Sequence, residues 1–269
     1  MKFKLFISDY DGTLGEAPKN DVDSQTFFAI DEFIKKGGIF TVCSGREYRS
    51  IRKICLEQGL KGLVASFQGA RIHDIETGKA LFSGGLDKEI ALEVLKEVEP
   101  YNLTPIIYTE DNFYLAERND YTLIYEKAVN MQGVVADVSK VIDEVDSICK
   151  LGWLGDDESV VRAVTELNKK HQGRGVQFNS GAPCLLEAVN PSCTKGNAVR
   201  FIADHYGIPY EQVITVGDST NDIDLIVGEW HGVAVGNAKE ELKRVAKEVT
   251  VPFEQKPIKH LLEKYCLND

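Results

Sequence analysis

Short apolar runs alternate along the first third of the chain with stretches in which apolar residues return every three or four positions. FKLFISD at 3–9 predicts a strand. Residues 22–36, with Phe27, Ile30, Phe33 and Ile34 on one stripe, predict a helix that stops at Gly37 and Gly38. IFTVCSG at 39–45 has the unbroken apolar character of a strand covered on both faces; a helix follows at 47–58 and another such strand lies in GLVASFQGA at 62–70. This β-α-β-α-β order implies a parallel sheet with helices packed over it. After Asn190 and Pro191 the same rhythm returns, with helices expected at 195–206, 221–227 and 238–246 and strands in QVITVG at 212–217 and HGVAVG at 231–236.

The middle of the chain has a different pattern. A helix at 86–97, striped by Ile90, Val94, Leu95 and Val98, is followed by LTPIIYT and NFYLAE, which read as paired strands joined at the polar EDN turn, 110–112. A helix at 119–129, a strand in SICKLGWLG, a helix at 157–170 and a strand pair in GVQFNS and CLLEAV complete two ββα-like halves. The expected fold class is therefore α/β. A Rossmann-like parallel-sheet core with helices on both faces is formed by residues 1–83 and 189–269, and an α+β domain of residues 84–188 is inserted into it.

Composition narrows the function. Asp and Glu outnumber Lys and Arg by 42 to 31, and the formal charge of -11 disfavours a nonspecific grip on nucleic acid or anionic lipid. An anionic substrate then needs a local cationic pocket or a bound metal ion. The six cysteines are scattered without a CxxC pair, as in reduced intracellular thiols. The start of the chain lacks a signal-peptide pattern, and no apolar run approaches the roughly 20 residues that span a bilayer. A cytoplasmic location, with neither membrane nor nucleic acid as partner, is expected; the oligomeric state is not legible.

The candidate chemistry sits at strand ends. Asp9 and Asp11 are two apart, so both can project from the end of the first strand into one crevice, and parallel sheets bind ligands at their carboxyl ends. Their mutual repulsion calls for a proton, a cation or several donors, and magnesium favours such oxygen ligands. By itself a DxD pair is more often a turn whose aspartates cap the backbone. The second apolar strand, however, ends in Ser44-Gly45-Arg46, and the late strand ends in GDSTND, bringing Asp218, Asn221 and Asp222 toward the same edge. Lys195 opens a helix, where a cation is unfavourable with respect to the helix dipole.

DYDGT at 9–13, SGR at 44–46, Lys195 and GDSTND at 217–222 together resemble, in order and position, the four motifs of the haloacid dehalogenase-like phosphohydrolases. The insert between the second and third motifs is similar to that of the Cof-type subgroup, with its large α+β cap. The resemblance implies a magnesium-dependent phosphatase acting on a small phosphorylated metabolite, with the cap closing over the leaving group. It makes Asp9 the nucleophile that forms an aspartyl-phosphate and Asp11 the general acid and then base. It assigns Mg2+ to Asp9, the backbone carbonyl of Asp11, and Asp218, with Asp222 in support. It places Ser44, Gly45, Lys195 and the backbone around Gly12 and Thr13 on the phosphate, with Asn221 holding Lys195 or the phosphate. A phosphomutase of the same fold and a non-catalytic phosphometabolite-binding protein are the alternatives. Tyr108, Phe113, Tyr114, Glu187 and the NSGAPC loop are the candidates in the cap for choosing a substrate, although packing suffices to explain most of the aromatics.

Overall fold

All four residues of Leu5–Ser8 (β1) are buried, so both faces of this strand are covered, as expected for the centre of an α/β sheet. A computed structural model describes residues 1–15, 22–110, 112–129 and 131–267. In it, β1 pairs in parallel with Ile39–Cys43 (β2) on one side and with Val213–Gly217 (β12) on the other. Leu63–Ser66 (β3) extends the parallel sheet beyond β2, and His231–Ala234 (β13) and Glu248–Val249 (β14) extend it beyond β12. Arg71–Asp74 (β4), antiparallel to β3, and Ala80–Ser83 (β5) complete an eight-stranded sheet in the order β14-β13-β12-β1-β2-β3-β4-β5. The third apolar run therefore ends earlier than its pattern implies. At Phe67–Gly69 the chain passes through a left-handed turn, with φ of 49° at Phe67 and 57° at Gln68, before returning as β4.

The helices of this unit start where polar caps stand. Asp23 accepts the N–H groups of Gln25 and Thr26 to open Ser24–Lys35 (α1), and Glu47 caps Tyr48–Glu57 (α2). Thr194 accepts the N–H of Asn197 to open Lys195–Tyr206 (α7). Ile223–Ile226 (α8), Glu240–Val245 (α9) and Pro257–Leu262 (α10) complete the set.

Residues 83–193 form a second unit. Its sheet has the order β10-β11-β9-β6-β7-β8, made of Thr104–Tyr108 (β6), Phe113–Leu115 (β7), Val134–Val135 (β8), Lys150–Leu154 (β9), Gln177–Ala182 (β10) and Leu185–Val189 (β11). Alternate residues Ile107, Leu151, Trp153, Leu186 and Ala188 enter one core with apolar side chains from Lys88–Val98 (α3), Val138–Glu144 (α5) and Asp157–Lys170 (α6). Asp120–Val129 (α4) follows β7. Asp111, in the turn expected between β6 and β7, lies outside the described residues.

The two units divide at Phe82/Ser83 and Cys193/Thr194, whereas the sequence pattern places the joins at 83/84 and 188/189. The later second join has a local cause. Asn190 donates from Nδ2 to the carbonyl of Gly85, while its own carbonyl accepts the N–H of Cys193, so the turn after β11 is tied to the insert. Among the described residues no helix is long and apolar enough to cross a membrane, and all six cysteines are free.

Candidate active site

Three neighbouring parallel strands each end one residue before a polar side chain: β1 before Asp9, β2 before Ser44 and β12 before Asp218. Lys195 begins α7, which packs close to α8: a Cβ on Gly196 would lie 2.5 Å from the carbonyl oxygen of Asp224. The lysine side chain is 1% exposed, and its Nζ donates to Oδ1 of Asp9 and to Oδ1 of Asp222, both at 2.6 Å. These two carboxylates offset the unfavourable placement of a cation at a helix N-terminus.

Asp222 is fully buried and uses its second oxygen as well, accepting the N–H groups of Asp218 and Ser219 at 3.0 Å. A single 3-10 turn over Thr220–Asp222, closed by a capping box with Ser219, turns Asp222 inward and leaves Asn221 exposed. The residue that holds Lys195 is thus Asp222, where Asn221 was one of the expected partners.

Asp9 and Asp11 have different surroundings. Asp9 is 5% exposed. Burial pushes its carboxyl up to about 8, with Asp222 adding to the rise and Lys195 opposing it. For Lys195, burial alone would favour the neutral amine, but Asp9 and Asp222 outweigh it and keep the ammonium charged. The Asp11 side chain is 48% exposed and receives a two-pronged ion pair from Arg46, Nε to Oδ2 at 2.8 Å and Nη2 to Oδ1 at 2.6 Å. Arg46 carries no assigned role in the sequence reading, although it closes the SGR tripeptide.

The loop after Asp11 comes close to Asp218. Gly12 has φ of 74°, and a Cβ there would lie 2.6 Å from Oδ2 of Asp218, so a side chain is excluded on both counts. Thr13 is buried, and its hydroxyl oxygen has no hydrogen-bond partner among the described residues. Ser44 is also buried; its hydroxyl oxygen accepts the N–H of Arg46 at 3.1 Å. Gly45 lies against Gln68, whose Nε2 would be 2.5 Å from a Cβ at that position.

Ligand atoms of Asp9, Asp218 and Asp222 all lie within 4.8 Å of one another. Three carboxylates around one ammonium leave a deficit of positive charge. Its signature is also present at Asp218, whose carboxyl is pushed up to about 6 by burial and by Asp222 and Asp11, against the pull of Lys195. An all-oxygen donor set with surplus negative charge fits a hard divalent cation.

The substrate candidates of the insert have local partners. The Tyr108 hydroxyl donates to that of Tyr125 at 2.7 Å and its ring stacks on Phe113, while Glu187 is paired with Lys150. Tyr114 packs against the insert's core. Packing therefore accounts for these aromatics.

A family model described as haloacid dehalogenase-like hydrolase matches residues 6–262. The HMP-PP phosphatase of Serratia proteamaculans is 23% identical over 98% of this chain and 95% of its own. A 5-amino-6-(5-phospho-D-ribitylamino)uracil phosphatase of Bacillus subtilis is 24% identical, over 97% of each chain. Among solved structures, a haloacid dehalogenase-like hydrolase from Bacteroides thetaiotaomicron superposes with a TM-score of 0.84 at 22% identity, covering 98% of this chain and 99% of that one. A subclass IIB sugar phosphatase superposes at 0.80 and 19%, covering 97% and 98%. With four motifs in order and a family match from β1 to α10, the chain belongs to the haloacid dehalogenase-like hydrolases, as an enzyme of their Cof-type phosphatase group.

Proposed function

We propose that the protein hydrolyses a small phosphomonoester, a sugar phosphate or similar metabolite, through an aspartyl-phosphate on Asp9 and with Mg2+ as cofactor. The observation that carries this reading is the buried Lys195 bridging Asp9 and Asp222 beside Asp218, at the carboxyl ends of β1 and β12. The relatives named for small phosphorylated metabolites support the substrate class.

In the first half-reaction an oxygen of Asp9 attacks phosphorus as the bond to the ester oxygen breaks, and the departing oxygen takes a proton from Asp11. In the second, Asp11, now a carboxylate, takes a proton from water, whose oxygen attacks phosphorus. That step frees Asp9 and releases inorganic phosphate. The two aspartates have different tasks and are held by separate cations, Asp9 by Lys195 and Asp11 by Arg46. Lys195, the Ser44 hydroxyl and the N–H groups near Gly12, Thr13 and Gly45 would stabilise charge on the equatorial oxygens. The unpartnered Thr13 hydroxyl lies in the same loop. A divalent cation held by Asp9 and Asp218, with the Asp11 carbonyl, would offset the carboxylate charge and screen the repulsion between Asp9 and the phosphate dianion. Asp222, with both oxygens already accepting hydrogen bonds, would brace Lys195 and the Asp218 backbone.

The test is hydrolysis of p-nitrophenyl phosphate and of a panel of phosphorylated metabolites by the purified protein with Mg2+. Asp9→Asn should abolish turnover while circular dichroism stays unchanged. Absence of hydrolysis across the panel, or full activity in the folded Asp9→Asn protein, would overturn the proposal.

A further inference from the structure

Arg46 is held at several points that have nothing to do with a ligand. Its N–H donates to the Ser44 hydroxyl, its carbonyl accepts the N–H of Phe67 at 2.9 Å, and its guanidinium lies over the Tyr10 ring at 4.8 Å. Its side chain is 17% exposed, against 48% for Asp11. The firmly held partner is therefore the arginine, and the freer one is the aspartate. A guanidinium is a planar fork that matches a carboxylate through two parallel bonds, which fixes the plane as well as the place of the carboxyl group. A carboxylate has about four acceptor positions; Arg46 occupies two, leaving room for a proton on the exposed side.

We propose that Arg46 is the positioning residue for Asp11, fixing the plane of its carboxyl group so that the proton reaches the departing ester oxygen. The inference rests on the phosphatase reading above. In the step concerned the phosphorus–oxygen bond to the leaving group breaks and the Asp11 proton passes to that oxygen. A misplacement of about 1 Å in such a group costs on the order of 100-fold in rate. The loss should depend on the leaving group. An alkyl phosphate needs the proton, whereas p-nitrophenolate departs with little help.

The experiment measures kcat/KM of wild type, Arg46→Ala, Arg46→Lys, Asp11→Asn and the Asp11→Asn/Arg46→Ala double variant on an alkyl phosphomonoester that the wild type turns over and on p-nitrophenyl phosphate. Arg46→Ala should lose about 100-fold on the alkyl ester and less than about 10-fold on the aryl ester. Added guanidinium should restore part of the loss, and Arg46→Lys, a point charge without the fork, should fall between. Where Asp11 is already asparagine, removing Arg46 should change nothing further. Equal losses on both esters, or a full additional loss in the double variant, would overturn the assignment. If Arg46→Ala does not fold, Arg46→Lys and Arg46→Gln carry the same comparison. Failure of the phosphatase reading looks different: the wild type would hydrolyse neither ester, or Asp9→Asn would remain active.

Discussion

Lys195→Met isolates the buried charge cluster. Methionine keeps the approximate length and apolar stem of lysine but removes the ammonium that reaches Asp9 and Asp222 at 2.6 Å each. The carboxylate side chains left behind are 7% and 0% exposed, so water cannot take over from the lysine. Breaking a buried ion pair from one side costs about 3–5 kcal/mol, and at about 2–4 °C per kcal/mol for a chain of this size the melting temperature should fall by roughly 6–20 °C. The pH dependence fixes the sign. Asp9 is already held up at about 8 by burial, against Lys195, and loss of Lys195 raises it further. A carboxyl whose folded pKa lies above its unfolded value of about 3.9 binds its proton more tightly in the fold, so its contribution is most favourable at low pH and is lost as pH rises. Both folded proteins keep Asp9 protonated below about pH 8, so the deficit of Lys195→Met relative to wild type should open above that pH and be larger at about pH 9 than at about pH 6. Denaturant unfolding of the metal-free proteins at the two pH values measures it, and Asp222→Asn in the Lys195→Met background should recover part of the loss. A deficit below about 1 kcal/mol, or one equal at both pH values, would show that the cluster is not the buried, single-cation arrangement described.

The metal should act on the same groups with the opposite sense. Mg2+ at 100 times its dissociation constant should stabilise the protein by about 2.7 kcal/mol, a chelator should remove that gain, and the dissociation constant should rise as pH falls from 8 to 6. The reason is that Asp9, at about 8, and Asp218, at about 6, must lose protons to bind the ion; titration calorimetry at the two pH values shows whether affinity moves that way. Gly12→Ala should lose at least about 1–2 kcal/mol from its left-handed backbone alone, and the Cβ pressed against Asp218 should weaken Mg2+ binding too. Unchanged unfolding and unchanged metal affinity would contradict the close approach.

The parallel core was legible because its strands are buried on both faces and so read as unbroken apolar runs: β1 and β12 have no exposed position. The β4 strand hid for the converse reason. Arg71 and His73 are completely buried, His73 with its ring stacked 3.6 Å from Tyr48, and nothing in RIHD distinguishes a buried arginine from a surface one. β5, exposed or half-buried along its length, carried no alternation to detect. The seven residues of α5 and the six of α10 were too short for helical periodicity to stand out.

The site divides in the same way. Residue types and strand-end positions are local properties, so Asp9, Ser44 and Asp218 could be placed from the chain alone. Partnerships are not local. Lys195 meets Asp9 across 186 positions of sequence, and which of Asn221 and Asp222 it meets depends on the phase of one three-residue turn. That turn gives Asp222 two structural tasks, fixing the ammonium with one oxygen and the start of the Asp218 loop with the other. Asp222 therefore couples the buried ammonium of Lys195 to the proposed metal ligand through a single carboxylate. Displacing its side chain must disturb both Lys195 and the Asp218 loop, even though neither of the groups it braces is a sequence neighbour of the other.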